Sequence, residues 1–324
     1  MTPRSIDVLF CADPPYFQHM AATITSLLRA NPDHVFRLFI CSAERDERTE
    51  QKIGIVASQF GNASTHFLQF DVARQHAYLT PDRYLTIATY LRLFATEYID
   101  PQVSKLLYLD CDTIVCADIG ALWRTDLGQS LLAAVPEPYI TDRPGFARDD
   151  TYFSAGVLLF DVQRWRDADV VSQFVRFAQD HAALLINSDQ DILNHVFKGA
   201  IASLPYRWNF QASFADLPAA ALNMSDDEFR DLRRCPGIVH YTGRYKPWCY
   251  QHQPHYKRLY WDALASTPWR TCLPADRTRR AMVIKAVTGI SARERLNWYV
   301  PRLADGLRRV IGKRTRLHID PTAR

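Results

Sequence analysis

The residues best placed to do chemistry lie in Lys105-Leu-Leu-Tyr-Leu-Asp110-Cys-Asp112-Thr-Ile-Val, an apolar run ending on two carboxylates two residues apart. Side chains at i and i+2 of an extended chain point the same way, so Asp110 and Asp112 can share one cation. Oxygen ligands suit a hard ion such as Mg²⁺ or Mn²⁺. A DxD triplet is common, and two solvated turn acids are the competing reading. The buried strand in front favours the cation, because two like charges at its mouth need a partner. In open α/β sheets, ligands bind beyond the carboxyl ends of the strands, where this pair would sit.

Other polar residues stand at the ends of apolar segments. Asp13 follows Phe10-Cys-Ala, and Pro14 forces it out of any helix. Arg92, inside the apolar helix Tyr90-Leu-Arg-Leu-Phe94, is either a snorkelling surface residue or a buried anion clamp. His240 ends Gly237-Ile-Val-His-Tyr241 and precedes Gly243 and Lys246, which fit a loop approaching phosphate. A lone histidine is more often structural, but imidazole is also the commonest metal ligand. Asp189-Gln190-Asp191 opens a helix, where acids usually oppose the dipole; that explanation suffices for one of the two. Cys249, His252 and His255 match no zinc spacing.

The elements positioning these groups alternate. Ile6–Cys11, Phe36–Cys41, Thr65–Phe70, Lys105–Asp110, Leu131–Val135 and Gly156–Phe160 read as strands; Phe17–Arg29 and Thr86–Tyr98 read as helices. Asn31-Pro32 marks a turn. This βα rhythm predicts an α/β sheet covered by helices. Residues 139–152 read as a loop or lid and 213–236 as a mixed stretch; beyond about residue 250 strands stop and a helical, basic region follows.

Composition narrows the class. The 324 residues are 48% hydrophobic and 23% charged, which excludes a disordered or repeat-dominated chain. Apolar runs are too short for a transmembrane helix, and no signal peptide is visible, so a cytoplasmic protein is expected. Seven cysteines without CxxC spacing speak for reduced thiols. The net charge of +4 hides an asymmetry: residues 277–324 hold 13 basic and 3 acidic side chains, a charge of +10, leaving −6 on the rest.

Phe10-Cys-Ala-Asp13, Thr89-Tyr-Leu-Arg-Leu93, Leu106-Leu-Tyr-Leu-Asp110-Cys-Asp112, Phe153-Ser-Ala-Gly-Val-Leu-Leu159, Asp189-Gln-Asp-Ile-Leu-Asn194, Arg207-Trp-Asn-Phe210 and His240-Tyr-Thr-Gly-Arg-Tyr-Lys-Pro-Trp248 follow one another in order. Together they resemble the family 8 glycosyltransferases, which include bacterial lipopolysaccharide galactosyl- and glucosyltransferases and, more distantly, glycogenin. The resemblance runs from about Asp7 to Trp248. It implies a GT-A fold, a Rossmann-like nucleotide-binding mixed sheet, over residues 1–250, followed by a basic, aromatic-containing region over 251–324.

The resemblance further implies transfer of a hexose from a UDP-sugar, glucose or galactose, with retention of configuration. The divalent ion, Mn²⁺ or Mg²⁺, falls to Asp110, Asp112 and His240. Cys11, Ala12 and Asp13 would line the uridine pocket, with Cys111 beside them. Arg92, Ser154, Ala155, Asp189 and Gln190 would face the donor sugar, and Gly243 and Lys246 would hold the diphosphate. A cation and a lysine at the diphosphate stabilise the leaving group's growing charge. Gln190 stands where a covalent mechanism would need a carboxylate; an amide is a poor nucleophile, which favours front-face attack. Pro15 and Ser154 depart from the family, where asparagine is frequent at both places.

The acceptor would be a saccharide or glycolipid, contacted by loops around His76–Tyr84 and 213–235. Arginines interleaved with Trp298 and Tyr299 resemble an interfacial segment, so 277–324 would lie on an anionic membrane, on the inner face of the cell membrane, rather than on nucleic acid. A sugar-nucleotide pyrophosphorylase would need a glycine-rich basic loop after the first strand, and Ala12-Asp-Pro-Pro15 is not one. A nucleotide-sugar-binding protein without turnover is the non-enzymatic alternative.

Overall fold

The computed structural model describes residues 5–71, 88–138, 143–181, 184–250 and 252–274, with 276–279 and 282 beyond them. The stretch His76–Tyr84, part of the 139–152 loop and nearly all of 277–324 lie outside the described residues.

A seven-stranded sheet runs in the order β3-β2-β1-β4-β7-β6-β8. Its strands are β1 (Ile6–Cys11), β2 (Phe36–Ser42), β3 (Ala63–Gln69), β4 (Lys105–Leu109), β6 (Leu132–Pro136), β7 (Phe153–Asp161) and β8 (Ala202–Ser203). The β3-β2-β1-β4 half is parallel; β7 runs antiparallel to both β4 and β6. A smaller sheet has the order β5-β10-β9, with β5 (Thr113–Val115), β9 (Phe210–Gln211) and β10 (Ile238–His240).

Every residue of β1 is buried, as expected for a central strand covered on both faces. Alternate side chains serve opposite layers: Val8 and Phe10 join one core with Met20, Ile24 and Leu27, while Leu9 and Cys11 join another with Tyr108, Leu91 and Trp165. Asp7, the one acid within β1, is neutralised in register by Arg37 of β2, with Nε donating over 2.6 Å. Helix α1 (Phe17–Ala30) ends where Asn31 takes over its last turn: Nδ2 donates to the Leu27 carbonyl at 2.8 Å.

The other helices are α2 (Glu47–Ser58), α3 (Ala88–Phe94), α4 (Gly120–Trp123), α5 (Val162–Asp167), α6 (Val170–Asp180), α7 (Ser188–Val196), α8 (Asp226–Arg234) and α9 (Lys257–Leu264). The helix expected over Thr86–Tyr98 is seen as α3 with a 3₁₀ turn over Ala95–Glu97; residues 86 and 87 are outside the described residues. The mixed stretch 213–236 resolves into 3₁₀ turns and α8, whose Ser225 and Glu228 form a reciprocal capping box. Tyr260 and Leu264 of α9 share the core with α1. Among the described residues, no helix is long and apolar enough to cross a membrane.

Strand β7 begins at Phe153, three residues before the apolar run from Gly156 that marks it in the sequence. Its early part is held by a side chain: Asn194 of α7 donates from Nδ2 to the Phe153 carbonyl (2.8 Å) and accepts the Phe153 N–H at Oδ1 (2.7 Å). That mimics a neighbouring strand, which apolar periodicity does not reveal.

Candidate active site

Asp110, Cys111 and Asp112 form the junction between the two sheets. Strand β4 stops at Leu109, and residues 110–112 turn, with the Thr113 N–H donating back to the Asp110 carbonyl at 3.2 Å. The two carboxylates therefore converge by a turn and not by strand alternation, which corrects the geometric reason read from the sequence. Thr23 of α1 stiffens the turn by donating to the Cys111 (3.0 Å) and Thr113 (2.8 Å) carbonyls. Antiparallel pairing sets His240 opposite Thr113, and the Tyr241 N–H donates to the Asp112 carbonyl at 3.0 Å.

That register delivers the imidazole. His240 Nε2 lies 3.1 Å from Asp112 Oδ1 and 3.5 Å from Asp110 Oδ2. One ligand atom from each of the three lies within 4.8 Å of the others, a cluster of three potential metal ligands among the described residues. Cys249, His252 and His255 form no such group there. Two carboxylates and one imidazole suit Mn²⁺ or Mg²⁺. Gly156 makes the room: a Cβ there would sit 2.1 Å from His240 Cε1 and 3.0 Å from Asp110 Oδ2. The residues thus fit a divalent cation.

Lys246, on the loop after β10, donates to Asp112 Oδ2 and, at 2.8 Å, to the Tyr241 carbonyl. Burial works against its charge, but Asp112 more than offsets this and holds the ammonium above the usual lysine range. Burial likewise opposes ionisation of Asp112, yet Lys246 and His240 together hold its carboxyl well below the usual carboxylate range. Gly243 stands at the mouth of this loop with φ +69°, a left-handed conformation suited to glycine.

Arg92 is buried (7% exposed), which decides in favour of an inward clamp over a snorkelling residue. Its Nη1 lies 3.0 Å from Asp110 Oδ1 and donates to the Ala155 carbonyl at 2.7 Å, while Nε lies 2.9 Å from Asp189 Oδ2. One guanidinium thus joins the cation cluster to α7. Burial pushes the Asp189 carboxyl up to about 7, against the opposing pull of Arg92. Gln190 Oε1 accepts the Ala155 N–H at 2.9 Å. Asp191 is the structural acid of the pair: Oδ2 accepts the Ile186 N–H (2.6 Å) and the Asn187 N–H, and Oδ1 accepts from Tyr152.

Cys11, Ala12 and Asp13 lie at the carboxyl end of β1. The Ala12 N–H donates to the Cys41 carbonyl (3.2 Å), and Asp13 is extended, as Pro14 requires. Cys111 Sγ reaches the Cys11 carbonyl at 3.7 Å, and burial pushes both thiols up, away from the reactive thiolate form. Ser154, in β7 opposite Val135 of β6, is buried. Burial raises the Glu137 carboxyl, against hydrogen bonds from Gln211 and Ser154.

Four contributors carry no role in the sequence reading: Tyr108, Gly156, Asn209 and Glu137. Tyr108 donates to Asp110 Oδ1 and lies under Arg92, whose Cζ is 4.6 Å from the ring centroid. It stands two residues before Asp110, so same-face spacing was a usable signal. Asn209 faces His240 Nδ1 at 2.8 Å.

Comparisons agree with this geometry. The family model for glycosyl transferase family 8 matches residues 7–252. General stress protein A of Bacillus subtilis is 25% identical over 272 residues, 82% of this chain and 94% of that protein. The lipopolysaccharide 1,2-glucosyltransferase of Escherichia coli is 24% identical over 287 residues, covering 85% and 82%. The crystal structure of the galactosyltransferase LgtC with donor and acceptor sugar analogues superposes with a TM-score of 0.72 at 27% identity, covering 84% of this chain and 98% of that one. The mixed sheet is that of the GT-A structures, and with its family pattern spanning 7–252, the chain belongs to glycosyltransferase family 8.

Proposed function

We propose that this glycosyltransferase moves glucose or galactose from a UDP donor to a saccharide or glycolipid acceptor of a surface glycan, with retention of configuration. The observation that carries it is the meeting of Asp110, Asp112 and His240 at 3.1–3.5 Å beside Lys246, with the Arg92–Asp189 pair adjoining. The lipopolysaccharide glucosyltransferase and the galactosyltransferase among its relatives support the hexose and the acceptor class.

Asp110, Asp112 and His240 would hold Mn²⁺ or Mg²⁺, which supplies Lewis-acid neutralisation of a diphosphate when bound. Lys246 is placed to take the diphosphate's charge as it grows, exchanging Asp112 for phosphate oxygen. Cys11, Ala12 and Asp13 would border the uridine. Arg92, Ser154, Ala155, Asp189 and Gln190 would orient the sugar, and Asp189 would offset the positive charge developing on it. The Gln190 carbonyl oxygen is occupied by the Ala155 N–H, which favours front-face attack, the leaving phosphate oxygen accepting the acceptor's proton.

The basic segment 277–324, at +10 by 13 against 3, would hold the enzyme peripherally on an anionic membrane. The deciding experiment is UDP release with Mn²⁺ from UDP-glucose, UDP-galactose and their N-acetyl forms. Turnover of one hexose donor is expected; UDP-sugar binding without consumption of any donor, with or without saccharide acceptors, would contradict it.

A further inference from the structure

Asn209, set behind His240, is 0% exposed. It closes the 3₁₀ turn Tyr206–Asn209 just before β9, and the ladder pairing Phe210 with Val239 and Gln211 with His240 seats it behind the imidazole. Its Oδ1 lies 2.8 Å from His240 Nδ1, and its Nδ2 has no partner. A buried donor left without an acceptor is destabilising, and an apolar side chain would avoid that penalty.

An amide oxygen only accepts, so the hydrogen here belongs on Nδ1. In the neutral ring the lone pair is then on Nε2, the nitrogen 3.1 Å from Asp112 and 3.5 Å from Asp110. With the amide turned over, its NH₂ would face Nδ1, and Nε2 would point an N–H at the same place. Gly156 bounds the ring on the Cε1 and Nδ1 side, at 2.1 and 2.5 Å from where a Cβ would be, so the imidazole has little freedom to retreat.

We propose that Asn209 is the positioning residue of His240: by accepting from Nδ1–H it fixes the tautomer and the ring plane, so that a divalent cation meets a bare Nε2. The inference rests on the assignment of a cation to Asp110, Asp112 and His240. Outer partners of this kind typically set metal affinity by 10- to 100-fold.

The test is Mn²⁺ affinity of the full chain, read from the loss of the free-Mn²⁺ electron paramagnetic resonance signal, for wild type, Asn209→Ala, Asn209→Asp and Asp112→Asn. Asn209→Ala should bind about 10- to 100-fold more weakly. Asn209→Asp, which still accepts from Nδ1–H, should return to within a few-fold of wild type. If Asn209→Ala does not fold, Asn209→Leu, closer in volume, takes its place. Wild-type affinity in the Ala or Leu variant, or an Asp variant as weak as they are, overturns the role of Asn209 while leaving the cation site standing. Wild-type protein whose Mn²⁺ binding is absent, or unaffected by Asp112→Asn, overturns the cation assignment itself.

Discussion

Replacing Gly156 with alanine adds one carbon 2.1 Å from His240 Cε1, 2.5 Å from Nδ1 and 3.0 Å from Asp110 Oδ2. Gly156 does not have a positive φ, so alanine adopts its backbone without strain and the effect comes from the methyl group alone. Ordinary contact begins at 3.4 Å, so the ring must retreat by about 1.3 Å. Metal–ligand distances hold to within about 0.2 Å, and Nε2 is lost to the site. We expect Mn²⁺ to bind at least about 10-fold more weakly, a loss of about 1.4 kcal/mol or more, with UDP release falling in parallel. Crowding the core there should also lower stability by about 1–3 kcal/mol. Mn²⁺ titration and urea unfolding of the same preparations read both quantities. Wild-type affinity together with wild-type turnover in Gly156→Ala would refute the packing of His240 against a bare backbone.

Arg92→Met leaves Asp110 and Asp189 without the guanidinium between them; removing one partner from a buried ion pair costs about 3–5 kcal/mol, visible in the urea midpoint. Arg92→Lys should not restore turnover, because one ammonium cannot reach Asp110, Asp189 and the Ala155 carbonyl together; full activity in the lysine variant would count against the clamp. His19, hydrogen-bonded to Tyr260 at 2.8 Å and stacked on Trp248, is lowered by burial from 6.5 to about 3. Its folded pKa lies below its unfolded one, so its contribution is complete above about pH 6.5 and disappears as pH falls through about 3, on the order of 5 kcal/mol at most. His19→Gln should flatten that acid limb in pH-dependent urea unfolding, and an unchanged limb would show that His19 does not titrate in this way. The full chain should co-sediment with anionic vesicles and not zwitterionic ones, and dissociate in about 0.5 M salt, where the Debye length falls to about 4 Å from about 10 Å at 0.1 M; salt-independent or absent sedimentation would remove the membrane proposal.

Apolar runs made most of the main sheet legible. Val8-Leu-Phe-Cys11 and Leu106-Leu-Tyr-Leu109 are continuous hydrophobic stretches because both faces of the parallel half are covered. The start of β7 was hidden, since Phe153-Ser-Ala is too short to establish a period and is held partly by Asn194. In the site, Asp110, Asp112 and His240 were recognisable as residue types, but their convergence depends on a turn and on the pairing of His240 with Thr113, 127 positions away in sequence numbering. Gly156 and Asn209 act through contacts with His240 that no local spacing encodes. Arg92 was ambiguous from composition, because burial of an arginine is decided by partners on other elements, here Asp110 and Asp189.

Asp112 receives both His240 and Lys246, so it is the residue through which cation and diphosphate would be coupled. The most direct measurement is UDP release from the preferred UDP-hexose as a function of Mn²⁺ concentration, for wild type and Asp112→Asn. Saturable Mn²⁺ dependence in the wild type, with turnover in the variant reduced at least about 100-fold and not recovered by excess metal, is the expected result. Equal turnover of the two proteins at every Mn²⁺ concentration would contradict a cation held between Asp110, Asp112 and His240.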